Sequence, residues 1–337
     1  DELSLLLDLE KAPTITLTGN VIAAGSGVPL AAKVEVVDTP VAPVETDATT
    51  GAYEIGLPSG TYTFKAFAFG YKPLIIGPLA IGQGSQVDFT LEGLPPVVIV
   101  DDDGSKDYEK YYKEALTALD VEFDVLPKAP AALDEILGYD TVVWFTGKAS
   151  SKTLEDGDQA ILKAYLEAGG SLLLSGMDIG YNIKKTEFYT NVLQAKYLKD
   201  KATSKEVTGL SHSFKIEGGT GANNQSYPDV IEATTSTLVY SYGDGSEGAA
   251  VQATYGNGRL AYFGFGIEGI DTADNRVAVV GTALEYIMPS DEELVQRLLL
   301  IDKQHRATYL YSVLIPRLGH KKVQEIAART GVRPLLR

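Results

Sequence analysis

The sequence predicts a multidomain chain: an antiparallel all-β sandwich, a doubly wound α/β sheet, and a helical extension at the C-terminus. Three observations predict this. Residues 14–93 alternate apolar and polar side chains in short runs broken by Gly, Pro and Asp, the period of half-buried strands. From Val97 the alternation gives way to continuous apolar runs separated by amphipathic stretches, the pattern of parallel strands buried on both faces. After Pro289 the charge reverses, with nine basic and five acidic residues over 291–337 in a chain whose formal charge is −16.

A length of 337 residues exceeds one ordinary domain, and 45% hydrophobic with 22% charged residues is a globular composition. The acidic excess argues against nucleic acid or an anionic membrane as partner. Cysteine is absent, which removes disulfides, thiolate metal sites and thiol nucleophiles together. The chain starts at Asp1 without a basic-then-apolar leader and holds no apolar run of about 18 residues, so it reads as a processed or excised piece without a membrane span.

Residues 1–13 form an N-terminal arm, with Leu5 and Leu7 in an alternating run suited to joining a neighbour. Clear strands then follow at Ile15–Gly19, Lys33–Val37, Tyr53–Leu57, Thr61–Ala66 and Gln86–Leu91. Pro58-Ser59-Gly60 reads as a tight hairpin between two of them, because Pro fixes φ and Gly relaxes it. Pro95-Pro96 ends this unit, since consecutive prolines cannot join a central strand. Val97–Val100 opens the second unit, Tyr108–Leu119 is an amphipathic helix, and Phe123–Leu126 is a strand. Ala131–Leu137 is a short helix, Thr141–Phe145 a strand, Leu154–Ala168 a helix, and Ser171–Ser175 a strand after Gly169-Gly170, where glycine suits a left-handed helix end. A late strand runs from Leu260 to Phe265. Tyr240–Gly245 reads as a hairpin connection whose tyrosines either pack inward or offer a peptide or glycan surface.

The first unit resembles the carboxypeptidase regulatory-like domain through Gly19, Pro29-Leu30-Ala31, Asp47, Gly51-Ala52-Tyr53, Leu57–Tyr62 and Gly70-Tyr71, which implies an immunoglobulin-like or prealbumin-like sandwich over residues 14–93. The second resembles the class I glutamine amidotransferase-like domain found in C-terminal regions of secreted bacterial subtilisin-like proteases. Val100–Gly104, Tyr108–Tyr112, Trp144–Gly147, Gly169–Gly176 and Asp178–Tyr181 carry that likeness, which implies a flavodoxin-like sheet over residues 97–289. Active members need a cysteine at the turn after the Gly-Gly strand, then a histidine and a glutamate. Here that turn reads Ser175-Gly176-Met177-Asp178, and Gly266-Ile267-Glu268 stands where the histidine and glutamate belong.

The resemblance therefore implies a non-catalytic accessory region (spacer, binding or assembly element) of an extracellular or cell-surface protein, whose parent is expected among peptidases. Its partners would be other domains or copies of a surface protein. A self-assembling extracellular filament subunit is the alternative, with Leu5, Leu7 and the basic positions Arg317, Lys321 and Lys322 joining copies. A hydrolase is the second alternative, using Ser175 with Asp178 or Glu268, or a metal at the strand ends. Asp101, Asp102 and Asp103 end the first parallel strand; they either hold a calcium ion or cap the helix beginning near Lys106. His212 is the one histidine near the strands, in a polar loop. The extension, residues 290–337, is expected as a helix over Asp291–Leu314 and a shorter one over Lys321–Thr330.

Overall fold

The computed structural model describes residues 14–25, 27–68, 70–104, 106–290, 293, 295, 299, 310 and 315–332. Its first unit has the strands β1 (Thr14–Ala23), β2 (Lys33–Val36), β3 (Val44–Glu45), β4 (Ala52–Pro58), β5 (Gly60–Phe67), β6 (Leu74–Ile81) and β7 (Phe89–Leu91). They form a three-stranded sheet, β4-β1-β7, and a four-stranded sheet, β3-β2-β5-β6. Leu17, Val34, Tyr53, Phe64 and Phe89 from both sheets share one core.

Two expectations are corrected here. The unit is not an all-antiparallel immunoglobulin-like sandwich: β1 is long enough to serve two partners, pairing antiparallel with β4 through Thr14–Asn20 and parallel with β7 through Val21–Ala23. Nor is Pro58-Ser59-Gly60 a hairpin. β4 bonds to β1 while β5 bonds to β2 and β6, so the turn carries the chain from one sheet to the other, with Tyr62 Oη donating to the Pro58 carbonyl at 3.0 Å.

The second unit is built on one eleven-stranded sheet. Its parallel half holds β8 (Val97–Asp101), β9 (Phe123–Leu126), β10 (Thr141–Phe145), β11 (Ser171–Ser175) and β18 (Gly258–Phe263), in the order β18-β11-β10-β8-β9. These strands are apolar runs because both faces are covered. Along β8, Val97 and Ile99 enter a core under α1 (Glu109–Ala118) and α4 (Ala273–Ile287), while Val98 and Val100 enter the opposite core under α2 (Asp156–Ala168). Gly169 ends α2 with φ 105°, in the left-handed region.

The other half overturns the flavodoxin-like, purely doubly wound sheet. β17 (Glu247–Tyr255) runs antiparallel to β18, and β16 (Thr237–Tyr242), β13 (Glu206–Gly209) and β14 (His212–Lys215) extend the sheet antiparallel beyond it. β12 (Ala195–Lys199) and β15 (Val230–Ala233) pair with each other, and β15 reaches β17 through Ile231 and Gly248. The fold is thus α/β with a large mixed sheet. The residues of β12 to β17 supply no helical crossover, so hairpins rather than parallel returns build this half.

The helix expected at Ala131–Leu137 contracts to a 3-10 turn, Leu133–Glu135, which contacts the first unit. Lys65 on β5 pairs with Asp134 at 2.5 Å, and Gly70 N–H donates to the Gly138 carbonyl at 2.7 Å. In the extension, α5 (Ile315–Thr330) starts earlier than expected. Arg317, Lys321 and Lys322 fall on α5, but their side chains lie outside the described residues, as do Leu5, Leu7 and most of the helix expected over Asp291–Leu314. No helix among the described residues is long and apolar enough to cross a membrane.

Candidate functional site

The carboxyl ends of the parallel strands carry two clusters of polar side chains, and the chain divides the expected site residues between them. Ser175 ends β11 and Glu268 follows β18, and both are fully buried. Tyr112 of α1 stands between them, its ring stacked on Phe145 at 4.4 Å. Its hydroxyl lies 2.7 Å from Ser175 Oγ and donates to Glu268 Oε2 at 2.7 Å. Ser175 Oγ also accepts from the Ile267 N–H at 3.1 Å. The other carboxylate oxygen, Glu268 Oε1, accepts from Asn224 Nδ2 at 2.8 Å and Gln225 Nε2 at 3.1 Å.

Every oxygen of this network is therefore engaged. The tyrosine gives its proton to Glu268 and takes one from Ser175, so the serine has neither a base nor open space for a nucleophile to work in. Burial raises the pKa of Glu268, with the donors of Tyr112 and Asn224 opposing it. The grouping of Ser175 with Glu268 was legible; the tyrosine that closes it was not, because it lies on a helix whose apolar stripe had already explained it.

Asp178 does not join this network. It lies past the β11 turn, just before the short α3 (Ile179–Ile183), and the fold brings it to Asp200, after β12, and Asp229, before β15. One carboxylate oxygen from each lies within 4.8 Å of the other two. Asp178 and Asp229 are 3% and 0% exposed, whereas Asp200 faces solvent. Asp229 Oδ2 accepts the backbone N–H groups of Gly180 at 2.6 Å and Tyr181 at 3.3 Å. Asp229 Oδ1 and Asp178 Oδ2 are buried without a hydrogen-bond partner, as is Tyr189 Oη. A side chain at Gly180 would meet Tyr189 Oη and Asp229 Oδ2, so glycine is what lets that backbone approach the carboxylate.

Three carboxylates at this spacing repel by on the order of 4 kcal/mol per ionised pair at an effective dielectric constant near 20. None of the ion pairs among the described residues includes them. The strain shows in their protonation. Burial, then Asp178, pushes Asp229 up to about 9, and burial, then Asp200, pushes Asp178 up to about 6. Tyr197 on β12 is raised to about 12 by burial and by the same carboxylates. At the rim, the Lys184 ammonium sits 4.3 Å from the Tyr181 ring and 4.4 Å from the Tyr197 ring, held by aromatic faces.

Asp101, Asp102 and Asp103 are not brought together as metal ligands. Asp103 Oδ1 accepts from the Lys106 N–H at 2.7 Å, Asp102 Oδ2 from the Trp144 indole at 3.2 Å, and Asp101 Oδ1 from the Asp103 N–H at 3.4 Å. Asp102 turns away to the Trp144 indole while Asp101 and Asp103 lie on the other side near one another, so the three carboxylates do not converge on one point. Asp103 caps a turn at Lys106, and α1 begins later, at Glu109. Tyr240 and Tyr242 are buried, which removes them as a peptide or glycan surface. His212 sits on β14 with Nδ1 3.5 Å from Tyr240 Oη.

The chain matches no protein-family model and no curated protein. Among solved structures it is similar to the GH42 β-galactosidase Gan42B of G. stearothermophilus, at 14% identity and TM-score 0.44 over 58% of this chain and 30% of that one. It is also similar to an exo-β-1,4-mannosidase, Op5Man5, of Opitutaceae bacterium strain TAV5, at 11% identity and TM-score 0.41 over 57% and 36%. A cytoplasmic protein of Salmonella typhimurium is similar at 18% identity and TM-score 0.38, over 57% of this chain and 98% of that one. The chain spans about a third of the length of the two glycosidases.

These findings correct the family expectation. The carboxypeptidase regulatory-like and amidotransferase-like resemblance finds no matching family model. The expectation of a non-catalytic accessory region falls with it. Its warrant was the family's missing cysteine and histidine, and outside that family their absence counts only against thiol and histidine chemistry.

Proposed function

We propose that the chain is a hydrolase whose reaction centre is the carboxylate cluster Asp178, Asp200 and Asp229. One observation carries this reading: Asp178 Oδ2 and Asp229 Oδ1 are buried and unpartnered, and these two residues meet a third carboxylate, Asp200, at the edge of an α/β sheet where ligands gather. Around Glu268 the buried carboxylate oxygens are paired; here two carboxylates keep lone pairs ready for an incoming hydroxyl or water.

Hydrolysis needs a group that orients and deprotonates water and a group that meets the leaving oxygen, and paired carboxylates do both without thiol or imidazole. Asp229 is fixed by two backbone N–H groups and supplies a positioned oxygen. Asp178 lies beside it with one free oxygen, and Asp200 opens the cluster to solvent. Tyr181, 46% exposed, with Lys184 and Tyr197 forms the wall that a substrate would pass.

The test is turnover on a panel of aryl glycosides, esters, phosphate esters and peptides. Galactosides and mannosides head the panel because they are the substrates named by the similar solved structures. Turnover that falls at least 100-fold in Asp178→Asn and Asp229→Asn, with circular dichroism unchanged, supports the reading. Turnover that both variants retain, or none on the whole panel, overturns it.

A further inference from the structure

We propose that Asp178, Asp200 and Asp229 together hold one divalent cation of the calcium type. The proposal deepens the hydrolase reading by naming what activates the water, and its catalytic part rests on that reading.

The donor set is made only of oxygen, which selects hard cations. Its three carboxylate oxygens lie within 4.8 Å of one another. Two oxygens on opposite sides of a calcium ion are about 4.8 Å apart, given ligand distances of about 2.4 Å. Acidic residues alone would not make a site. The second observation is that Asp178 Oδ2 and Asp229 Oδ1, in residues 3% and 0% exposed, have no donor. Asp229 is also aimed: its Oδ2 is occupied by the Gly180 and Tyr181 N–H groups, which fixes the plane of the carboxylate and leaves Oδ1 for a ligand.

No side-chain cation among the described residues takes this place. Lys199, one residue before Asp200, pairs with Glu247 instead, and Lys184 is held between two tyrosine rings. Asp200 is the exposed member, so a cation bound here keeps an open side for water. The three ligands come from three separate connections, after β11, after β12 and before β15, so one ion would tie the parallel half of the sheet to the β12–β15 pair.

The experiment is calorimetric titration of chelator-treated full chain with CaCl2, and with TbCl3 read by tyrosine-sensitised luminescence, alongside melting scans. One site per chain is expected, with a melting temperature that rises on binding. Asp200→Asn should weaken the affinity at least tenfold; because Asp200 is exposed, this variant keeps the test valid even if Asp178→Asn or Asp229→Asn fails to fold. No saturable binding up to 1 mM of either ion, or binding that Asp200→Asn and Asp178→Asn leave unchanged, overturns the site. Binding without turnover on any substrate upholds the site and overturns only the hydrolase reading. Turnover in chelator with no binding overturns the site alone.

Discussion

Two clusters sit beyond the end of β11 within three residues of each other in sequence, and they are built on opposite rules. Around Glu268 each buried oxygen meets a donor: Tyr112, Asn224 and Gln225 on the carboxylate, and the Ile267 N–H on Ser175. Around Asp229 two carboxylate oxygens and a phenol are buried with nothing to meet. A satisfied network in a low-dielectric core stiffens the sheet; an unsatisfied one persists at a cost that a bound group must offset. The difference teaches that neighbouring strand ends can carry buried polar groups of opposite kinds, one set satisfied and one not. Ser175 and Glu268 are fully engaged by donors, while Asp178 and Asp229, past the turn, keep oxygens without a partner.

Breaking the closed cluster gives the largest expected effect. Glu268→Ala leaves the Tyr112, Asn224 and Gln225 donors without an acceptor and should cost roughly 3 kcal/mol or more of stability in urea unfolding. A loss under about 1 kcal/mol would show that the network does not hold the sheet together. Tyr112→Phe keeps the stacking on Phe145 and removes the shared hydroxyl, so a loss of about 1–2 kcal/mol is expected in the same measurement.

Asp102 offers a comparison in pH. Burial, opposed by the Trp144 indole and assisted by Asp158 and Asp101, raises its pKa from 3.8 to about 7. The folded state then binds a proton that the unfolded chain has released, so this contribution is fully present below about pH 4 and is lost as pH rises through about 7. Asp102→Asn should match the parent near pH 4 and exceed its stability at pH 8 by on the order of 1 kcal/mol, a figure that allows for solvent screening. Equal melting temperatures at both pH values would place Asp102 in a better solvated setting. The smallest effect belongs to the open cluster without cation. Asp178→Asn in chelator at pH 8, where Asp229 with its pKa raised to about 9 is mostly protonated, removes one of the two remaining like charges and should leave stability unchanged or raise it by up to about 1 kcal/mol. A loss comparable to that of Glu268→Ala would erase the contrast between the two clusters.

The local elements were legible where one pattern dominated. Val97–Val100, Thr141–Phe145 and Ser171–Ser175 read as strands buried on both faces because they hold almost no polar side chain, and they are β8, β10 and β11. Gly169 read as a helix end and is one. Ala131–Leu137 misled because alanine and leucine favour a helix, yet contact with the first unit and the Glu135 carboxylate, which accepts the Ala131 N–H at 2.7 Å, hold it to one 3-10 turn.

Residue chemistry by itself determined that this protein has no thiol chemistry, that its central strands are buried, and that carboxylates cluster at their ends. Tertiary structure decided the mixed sheet and the meeting of Asp178 with Asp200 and Asp229. Hydrophobic period reports which face of an element is buried, and so it carries through any strand order. Which connections meet at the sheet edge depends on that order, here on β12 pairing with β15 and β15 with β17, and no spacing along the chain records it.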